Sequence, residues 1–513
     1  VPLSLILMEL QFPSISVLFA FLIFMLMVVK VVKRSKAKNS TAKLPPGPWQ
    51  LPLIGNMHQL FGSLTHHILR DLAKKYGPLM HLKLGEVSTV VVSSPEIAKE
   101  VMKTHDIIFA QRPYLLASRI LSYDSTNIGF SPYGDYWRQL RKICTIELLS
   151  SKRVQMFRSI REEEVSSLIR SISSNARSPI NFSKEIFTLT NGITARATFG
   201  EKSKDQEAFM SIMEEAIKLL GGFSIVDMYP SVKVLSVISG MRSRLEEMHK
   251  RIDQILENIV SQHKKRKKTT KTGSKEEDLV DVLLKFQKHG NLEFPLTNNN
   301  IKAVILGIYN AGSDTSSTAV EWAMSEMLKN PRVMKRAQAE VREVFGKNGN
   351  VDETGLHELK YLKSVIKETL RLHPSAPLLL PRECSEQCEI NGYEIPAKTR
   401  VIVNAWAIGR DPRYWTEAER FQPERFLSSP IDFKGMDFEY IPFGAGRRIC
   451  PGILFAVANI ELPLAQLLYH FDWELPSGLK KEELDMNETF GLTIRRKQDL
   501  YLIPVPYYPT LVE

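Results

Sequence analysis

Cysteine is scarce in this sequence. Only four cysteines occur among 513 residues, at Cys144, Cys384, Cys388 and Cys450. That is too few for a disulfide scaffold, and the spacing is not that of a paired-cysteine metal site. Disulfide-rich secreted proteins are therefore excluded, and the low cysteine content suits a reducing compartment.

Signatures of several other protein classes are also missing. No glycine-rich dinucleotide-binding motif follows a predicted strand, so electrons for a redox reaction must come from another protein. None of the eleven histidines belongs to a pair spaced as metal ligands on an apolar helix face. The net charge is +11, but the basic runs lack interleaved aromatic residues, which argues against a nucleic-acid partner.

Basic residues are absent before the first long apolar stretch. Residues 12–32 are mostly apolar and long enough to span a bilayer. Lysine and arginine follow this stretch, so the positive-inside rule places the bulk of the protein in the cytosol. A cleavable signal peptide would need basic residues before the stretch and a small-residue cleavage site after it. The sequence predicts a leader at 1–11, a transmembrane signal anchor at 12–32, a basic and proline-rich linker at 33–49 and one large domain at 50–513.

The pattern of the large domain is mainly α-helical with a minor sheet component. Apolar periodicity predicts helices over 295–328, 332–345 and 356–372. Alternating residues predict a two-stranded hairpin at 79–94 and small strands between 390 and 403. The basic run 264–275 is typical of a solvated connection between two helices, and 421–442 is typical of a loop.

The most informative segment is Phe443-Gly-Ala-Gly-Arg-Arg-Ile-Cys450-Pro-Gly452. Its glycines allow the backbone to approach a flat ligand, and an apolar helix follows, so the Cys450 sulfur lies near a helix N-terminus that favours a thiolate. If Cys450 is considered without its neighbours, the alternative is that it is a buried structural cysteine. The combination of phenylalanine, glycine, arginine and cysteine at these offsets favours a metal-ligating thiolate.

A second unusual segment, Ala311-Gly-Ser-Asp-Thr-Ser316, interrupts an otherwise apolar helix. Glycine and an acid-alcohol pair destabilise a buried helix, so they call for a functional reason. A solvent-facing turn of an amphipathic helix is the alternative. Asp314 and Thr315 are the candidate catalytic pair.

Two further pairs have the spacing of one helical turn. Glu368 and Arg371 lie at i and i+3, and Trp137 and Arg141 at i and i+4, so each pair shares a helix face. Taken alone, the first pair is typical of a solvated helix surface and the second of an amphipathic helix with its tryptophan in the core.

Together these motifs resemble those of the cytochromes P450, and Leu44-Pro-Pro-Gly-Pro-Trp49 and Tyr133-Gly-Asp-Tyr-Trp137 resemble the plant A-type members. The group nearest in sequence holds premnaspirodiene oxygenase, other sesquiterpene and diterpene hydroxylases, and tabersonine hydroxylase. Ser313 departs from the threonine that relatives often have. The resemblance implies a membrane-anchored haem-thiolate enzyme, with a large helical body around the haem and small β-sheets.

The resemblance also implies a role for each candidate residue. Cys450 would be the axial ligand of the iron of haem b. Asp314 and Thr315 would deliver protons to dioxygen. A buried structural network would comprise Glu368, Arg371 and Arg425. The remaining haem-binding residues would be Trp137, Arg141, Arg382, Phe443 and Arg448. The substrate pocket would include Leu116, Ile308, Ala311, Ala376, Leu380 and Phe490.

The implied reaction is hydroxylation of a small apolar plant secondary metabolite, chiefly a sesquiterpene or diterpene, with dioxygen. NADPH would supply electrons indirectly through NADPH-cytochrome P450 reductase. The catalytic domain would face the cytosol from a single-pass anchor in the endoplasmic reticulum membrane, in contact with membrane lipid. Alternatives are hydroxylation of a terpenoid indole alkaloid, isomerisation or dehydration of a hydroperoxide, and a non-catalytic haem carrier or sensor. The last two would not need Asp314 and Thr315.

Overall fold

A computed structural model describes residues 25, 29, 43–201, 206–221, 223–269, 277–290, 292–346, 349, 351–476, 478–489 and 491–508. Helices dominate its first half: α1 (Thr65–Tyr76), α2 (Pro95–Lys99), α3 (Leu116–Leu121), α4 (Asp135–Ile143), α5 (Ser151–Met156), α6 (Arg158–Ser174), α7 (Phe182–Phe199), α8 (Gln206–Leu219), α9 (Ile225–Met228), α10 (Leu235–Ile238) and α11 (Met241–Thr269). The later helices are α12 (Leu279–His289), α13 (Asn298–Lys329), α14 (Pro331–Phe345), α15 (Lys360–Leu372), α16 (Ala405–Ile408) and α17 (Ile453–His470).

The strands form three small sheets. They are β1 (Leu79–Leu84), β2 (Val87–Val92), β3 (Ile180–Asn181), β4 (Arg382–Glu383), β5 (Cys388–Ile390), β6 (Tyr393–Ile395), β7 (Arg400–Val403), β8 (Phe471–Glu474) and β9 (Tyr501–Pro506). The sheet orders are β1-β2-β7-β4, β3-β9-β8 and β5-β6. Strands β1 and β2 pair antiparallel from Leu79↔Val92 to Leu84↔Val87, while β2 and β7 pair parallel.

The described residues also form short helical turns between these elements. Turns of 3₁₀ helix lie at Met57–Leu60, Gly355–Glu358, Pro423–Phe426, Gly446–Arg448 and Lys481–Glu483, and π-helical turns at Glu100–Thr104 and Cys144–Leu148. Three predicted element bounds differ from these by several residues. The central helix predicted from 295 begins at Asn298, because Thr297 caps it. The helix predicted from 356 begins at Lys360 because a 3₁₀ turn precedes it. The basic run 264–275 was predicted to connect two helices. Its first six residues instead belong to α11, which ends at Thr269.

Helix α13 is the centre of the molecule. Thr297 caps it by accepting a hydrogen bond from the backbone N–H of Asn300 at 3.1 Å, and Pro331 starts the next helix. Most of its side chains are buried, because it packs against α7, α17 and α15. The mainly α-helical fold with small sheets agrees with the sequence pattern.

One described helix, α17, is long and apolar enough to cross a membrane. Of its 18 residues, 67% are buried inside the protein, which makes it a core helix. The predicted anchor at 12–32 lies outside the described residues, apart from Met25 and Val29.

Candidate active site

The loop before α17 presents the Cys450 sulfur to an internal cavity. Gly444 and Gly446 both have left-handed backbone angles, φ 71° and 68°, and a Cβ on Gly446 would lie 2.0 Å from the carbonyl oxygen of Met102. The Gly452 N–H points at the Cys450 sulfur over 3.4 Å. Burial raises the pKa of the Cys450 thiol, whereas this N–H and Arg141 act to lower it.

The cavity has a volume of about 320 Å³ and lies between α13 and the cysteine loop. Its wall is largely apolar, and Thr315 and Cys450 both line it. The predicted pocket residues Ile308, Ala311, Ala376 and Leu380 also line this cavity.

The other two predicted pocket residues are Leu116 and Phe490. Leu116 is only 5% exposed and packs in the main hydrophobic core, and it lines a different cavity beside Arg119 and His249. Leu116 begins α3, and its backbone N–H donates to Asp227 Oδ1 over 2.9 Å, which fixes this end of the helix. Phe490 lies outside the described residues.

The cysteine end of the cavity is lined by arginines. Arg141, Arg382 and Arg448 all face it, as do Trp137 and Phe443. Arg448 donates to the carbonyl oxygens of Ala110 and Ser131 at 2.8 and 2.7 Å, and its guanidinium lies 4.3 Å above the Trp137 ring. Burial, with Arg382 and Arg141 nearby, lowers the pKa of Arg448 to about 9.

The other predicted haem-binding side chains are held by backbone carbonyl groups. Trp137 Nε1 donates to the Ile128 carbonyl oxygen at 3.1 Å. Arg141 Nη1 donates to that of Ile449 at 2.6 Å, directly before the cysteine. Arg382, on β4, donates to that of Ala445 at 2.9 Å.

Arg112 is a member of this group that motif spacing did not reveal. It donates to the carbonyl oxygens of Gly129, Leu380 and Pro381 at 2.8, 2.8 and 2.7 Å. Burial, reinforced by Arg448 and Arg382, lowers the pKa of Arg112 well below its usual value. The segment Ala110-Gln-Arg-Pro113 carries no periodic pattern and no motif that would have marked Arg112.

Arg112, Arg141, Arg382 and Arg448, here called the arginine group, have few acidic partners. Among the described residues, the carboxylate paired with the group is that of Asp106, 3.4 Å from Arg382. Buried cations without counter-charges are unfavourable, so the arrangement suits an anionic ligand.

On the opposite side of the cavity, α13 carries Thr315 and Asp314. The Thr315 hydroxyl faces the cavity and donates to the Ala311 carbonyl oxygen at 2.6 Å. Asp314 is 2% exposed and does not line the cavity. Its Oδ1 accepts a hydrogen bond from Arg495 Nε at 2.6 Å, while its Oδ2 is buried without a hydrogen-bond partner among the described residues.

Gly312 has a packing role as well as a place in the cavity wall. A Cβ there would lie 3.2 Å from Thr194 Cγ2 on α7 and 3.1 Å from Phe455 on α17. The glycine therefore permits the close approach of three helices, which sequence reasoning did not anticipate.

Glu368, Arg371 and Arg425 form one hydrogen-bonded network in the described structure. Arg371 forms two hydrogen bonds with the Glu368 carboxylate at 2.7 and 2.8 Å, and Arg425 Nε donates to the same carboxylate at 3.0 Å. Arg371 also donates to the carbonyl oxygens of Gly409 and Ala418 at 2.6 and 2.7 Å. The buried carboxylate is thus satisfied by two guanidinium groups.

Comparison with known proteins decides the family. The family model for cytochrome P450 matches residues 45–502. The chain belongs to the cytochrome P450 family. It is therefore an oxidoreductase of the monooxygenase type, and the cytochrome P450 family implies haem, dioxygen, a substrate and a redox partner.

Three plant proteins are among the curated relatives of this cytochrome P450. It is 60% identical over 498 residues to desmethyl-deoxy-podophyllotoxin synthase of Sinopodophyllum hexandrum, covering 96% of this chain and 97% of that protein. It is 59% identical to tabersonine 16-hydroxylase 2 of Catharanthus roseus, covering 95% and 97%. It is 53% identical to premnaspirodiene oxygenase of Hyoscyamus muticus, covering 98% and 99%. These relatives confirm the predicted plant A-type group.

A solved structure of a zebrafish cytochrome P450 with progesterone has the same fold. Its TM-score is 0.74 at 25% identity, covering 86% of this chain and 99% of that chain.

The residues present fit a haem. The arginine group supplies buried donors with one paired carboxylate among the described residues, which suits two propionates. The Cys450 sulfur lines the same cavity and accepts a hydrogen bond from the Gly452 N–H, which would favour the thiolate that ligates haem iron in this family.

Proposed function

We propose that this chain binds haem b through Cys450 and hydroxylates a small apolar terpenoid, a sesquiterpene or diterpene. The observation that carries the proposal is that one cavity is lined by Cys450, by Thr315 and by the arginine group. The propionates would be held by Arg112, Trp137, Arg141, Arg382 and Arg448, and Phe443 would pack beside the thiolate.

The bound haem would supply the activation of dioxygen, and the chain would supply protons. Thr315 is the hydroxyl of α13 that faces the cavity, and Asp314 lies directly before it. Arg495 holds one carboxylate oxygen of Asp314, while the other oxygen has no hydrogen-bond partner among the described residues. Asp314 would act with Thr315 as the proton relay. The Glu368, Arg371 and Arg425 network would keep the cysteine loop in place.

The substrate class is supported by the cavity wall and by the relatives. The wall near Thr315 is apolar at Ile308, Ala311, Ala376 and Leu380, which suits a hydrocarbon skeleton. Premnaspirodiene oxygenase is a relative along nearly the whole chain. A terpenoid indole alkaloid is the second candidate, because the tabersonine 16-hydroxylases are 59% identical to this chain.

Electrons would come from NADPH through NADPH-cytochrome P450 reductase. The chain would be anchored in the endoplasmic reticulum membrane by one helix at 12–32, with a leader at 1–11, a linker at 33–49 and a cytosolic catalytic domain at 50–513. The support for this topology is the apolar stretch followed by basic residues.

The proposal is tested by turnover in microsomes that contain the chain and the reductase. A panel of sesquiterpenes, diterpenes, tabersonine and an organic hydroperoxide is supplied, and products are identified by mass spectrometry and NMR. We expect an NADPH-dependent hydroxylated terpenoid that Cys450→Ala microsomes do not form. Hydroxylation of tabersonine alone would favour the second candidate, and conversion of a hydroperoxide without NADPH would contradict the monooxygenase assignment.

A further inference from the structure

The cavity wall contains an amide whose oxygen has no partner. Asn310 lies on α13 directly before Ala311 and lines the cavity. Its Oδ1 is buried and makes no hydrogen bond within the described part of the chain. Buried amide groups are normally hydrogen-bonded. An amide oxygen without a partner in a ligand cavity therefore suggests that the ligand supplies the partner.

Three other polar side chains of the cavity wall are hydrogen-bonded. Thr315 donates to the Ala311 carbonyl oxygen at 2.6 Å, and Ser375 donates to the Thr315 carbonyl oxygen at 3.0 Å. Asn127 Oδ1 accepts from the Phe130 N–H at 2.8 Å. Asn310 differs from these because no such bond fixes its oxygen.

The surroundings of Asn310 make one end of the cavity polar. Asn127 lines the same cavity and packs against Gly307, three residues before Asn310 on α13. A Cβ on Gly307 would lie 3.7 Å from Asn127 Nδ2, so the glycine leaves room for that amide. Two amides therefore flank the same turn of the helix, while Ile308 and Ala311 keep the neighbouring wall apolar.

We propose that Asn310 is a specificity-determining residue that binds a hydroxyl group already present on the substrate. The inference deepens the proposed function and rests on it: the substrate is an oxygenated terpenoid rather than a hydrocarbon. Because no hydrogen bond holds Oδ1, the amide can turn about its Cβ–Cγ bond and present oxygen or nitrogen. A hydroxyl group both donates and accepts, so it can form a hydrogen bond with either the amide oxygen or the amide nitrogen of Asn310.

The physical consequence is discrimination against hydrocarbons. A site with a buried polar group rejects a ligand that leaves the group unpaired, whereas an apolar pocket rejects a hydroxyl group only weakly. The class of reaction that supplies the substrate is then an earlier hydroxylation, or a cyclisation that ends in capture of water.

The test compares ligands that share a skeleton. The probes are three sesquiterpene pairs, each a hydrocarbon and an alcohol: selinene and eudesmol, cadinene and cadinol, bisabolene and bisabolol. Dissociation constants are measured on the full-length holoprotein from the ligand-induced change in haem absorbance. We expect at least one alcohol to bind about tenfold more tightly than its hydrocarbon, and Asn310→Leu to reduce that preference to about threefold or less.

Thr493→Val is the matched control. Thr493 is a buried polar residue of the same cavity wall, on the C-terminal segment, and this variant should keep the preference for alcohols. Equal binding of hydrocarbon and alcohol in all three pairs would overturn the inference. So would a preference that survives Asn310→Leu or that disappears in Thr493→Val.

A second measurement is independent of the substrate class. If Asn310 has no partner in the ligand-free protein, Asn310→Leu should leave the thermal unfolding temperature unchanged or raise it. A clear fall in that temperature, with Thr493→Val unchanged, would show that the amide is structurally bonded and would overturn the inference. Failure of all six probes to bind the wild type would contradict the terpenoid assignment instead, and the unfolding result would still decide the state of the amide.

Discussion

Arg495 donates a hydrogen bond from Nε to Oδ1 of Asp314 over 2.6 Å, across 181 residues of sequence. The same guanidinium donates to Glu214 Oε1 at 2.8 Å, so it joins α13 to α8. Burial acts to lower the pKa of Arg495, but the carboxylates of Asp314 and Glu214 raise it above its usual value. Arg495 therefore stays cationic and fixes the direction of the Asp314 carboxylate.

We predict that Asp314→Asn lowers the rate of product formation by about 100-fold, because an amide cannot relay the proton. Arg495→Leu should lower the yield of product per NADPH consumed by about tenfold, because the carboxylate remains but loses its orientation. Both quantities are measured in reconstituted turnover with peroxide release quantified. Glu214→Gln is the control, since it removes the other partner of Arg495 and leaves Asp314 paired; an equal loss in this variant would contradict the account.

Arg112 is predicted to contribute to haem retention. Arg112→Leu removes a buried cation of the arginine group and should weaken haem binding by about tenfold, the size of a charge-assisted hydrogen bond. Haem content per protein is measured by absorbance after purification and after transfer to apomyoglobin. Arg119→Leu is the matched control, because Arg119 is 55% exposed and pairs with Asp124 at 2.8 Å. Equal haem retention in both variants would exclude Arg112 from the site.

The Glu368 carboxylate is predicted to dominate the stability of the cysteine loop. Glu368→Gln leaves Arg371 buried without its counter-charge and should destabilise the protein by about 3–5 kcal/mol. Arg420→Leu should change stability by less than about 0.5 kcal/mol, because Arg420 and Glu417 form an exposed pair. Urea unfolding followed by tryptophan fluorescence measures both. Similar midpoints for the two variants would contradict a stabilising role for the network.

Acid sensitivity is predicted to arise in part from His81. Burial, with Lys83 nearby, lowers the pKa of His81 to about 4, so below its ordinary value of 6.5 the unfolded chain binds a proton that the folded chain does not. Stability should therefore fall as the pH decreases from 6.5 to 4, by about 2–3 kcal/mol from this group. His81→Asn should flatten the decline in thermal unfolding temperature over that range. His357→Gln, at an exposed histidine, should not; equal profiles for His81→Asn and the wild type would refute the assignment.

Local patterns predicted the parts of the site that are contiguous in sequence. The hairpin at β1 and β2, the central helix α13 and the cysteine loop all follow from periodicity or from a motif of ten residues. Contacts between distant segments could not be predicted in this way. Arg495 meets Asp314, and Arg112 reaches the Leu380 and Pro381 carbonyl groups, only because the chain folds them together.

The orientation of individual side chains could not be predicted from the sequence either. Leu116 was assigned to the substrate pocket because of its position, but it packs in the main hydrophobic core and lines a different cavity. Asn310 could not be singled out from the sequence, because a lone asparagine before Ala311 belongs to no recognisable motif. Its importance depends on a missing hydrogen-bond partner, which is a property of the packed structure.

The measurement that tests the central claim most directly is the absorbance spectrum of the reduced, carbon monoxide-bound protein. With Cys450 as the thiolate ligand, the main haem band of the wild type should lie well to the red of its position under histidine ligation. Cys450→His, which keeps an iron ligand, should move the band to the histidine position, and Cys450→Ala should abolish the thiolate signal. A red-shifted band that persists in either variant, or is absent from the folded wild type, would contradict the assignment of Cys450 as the haem ligand.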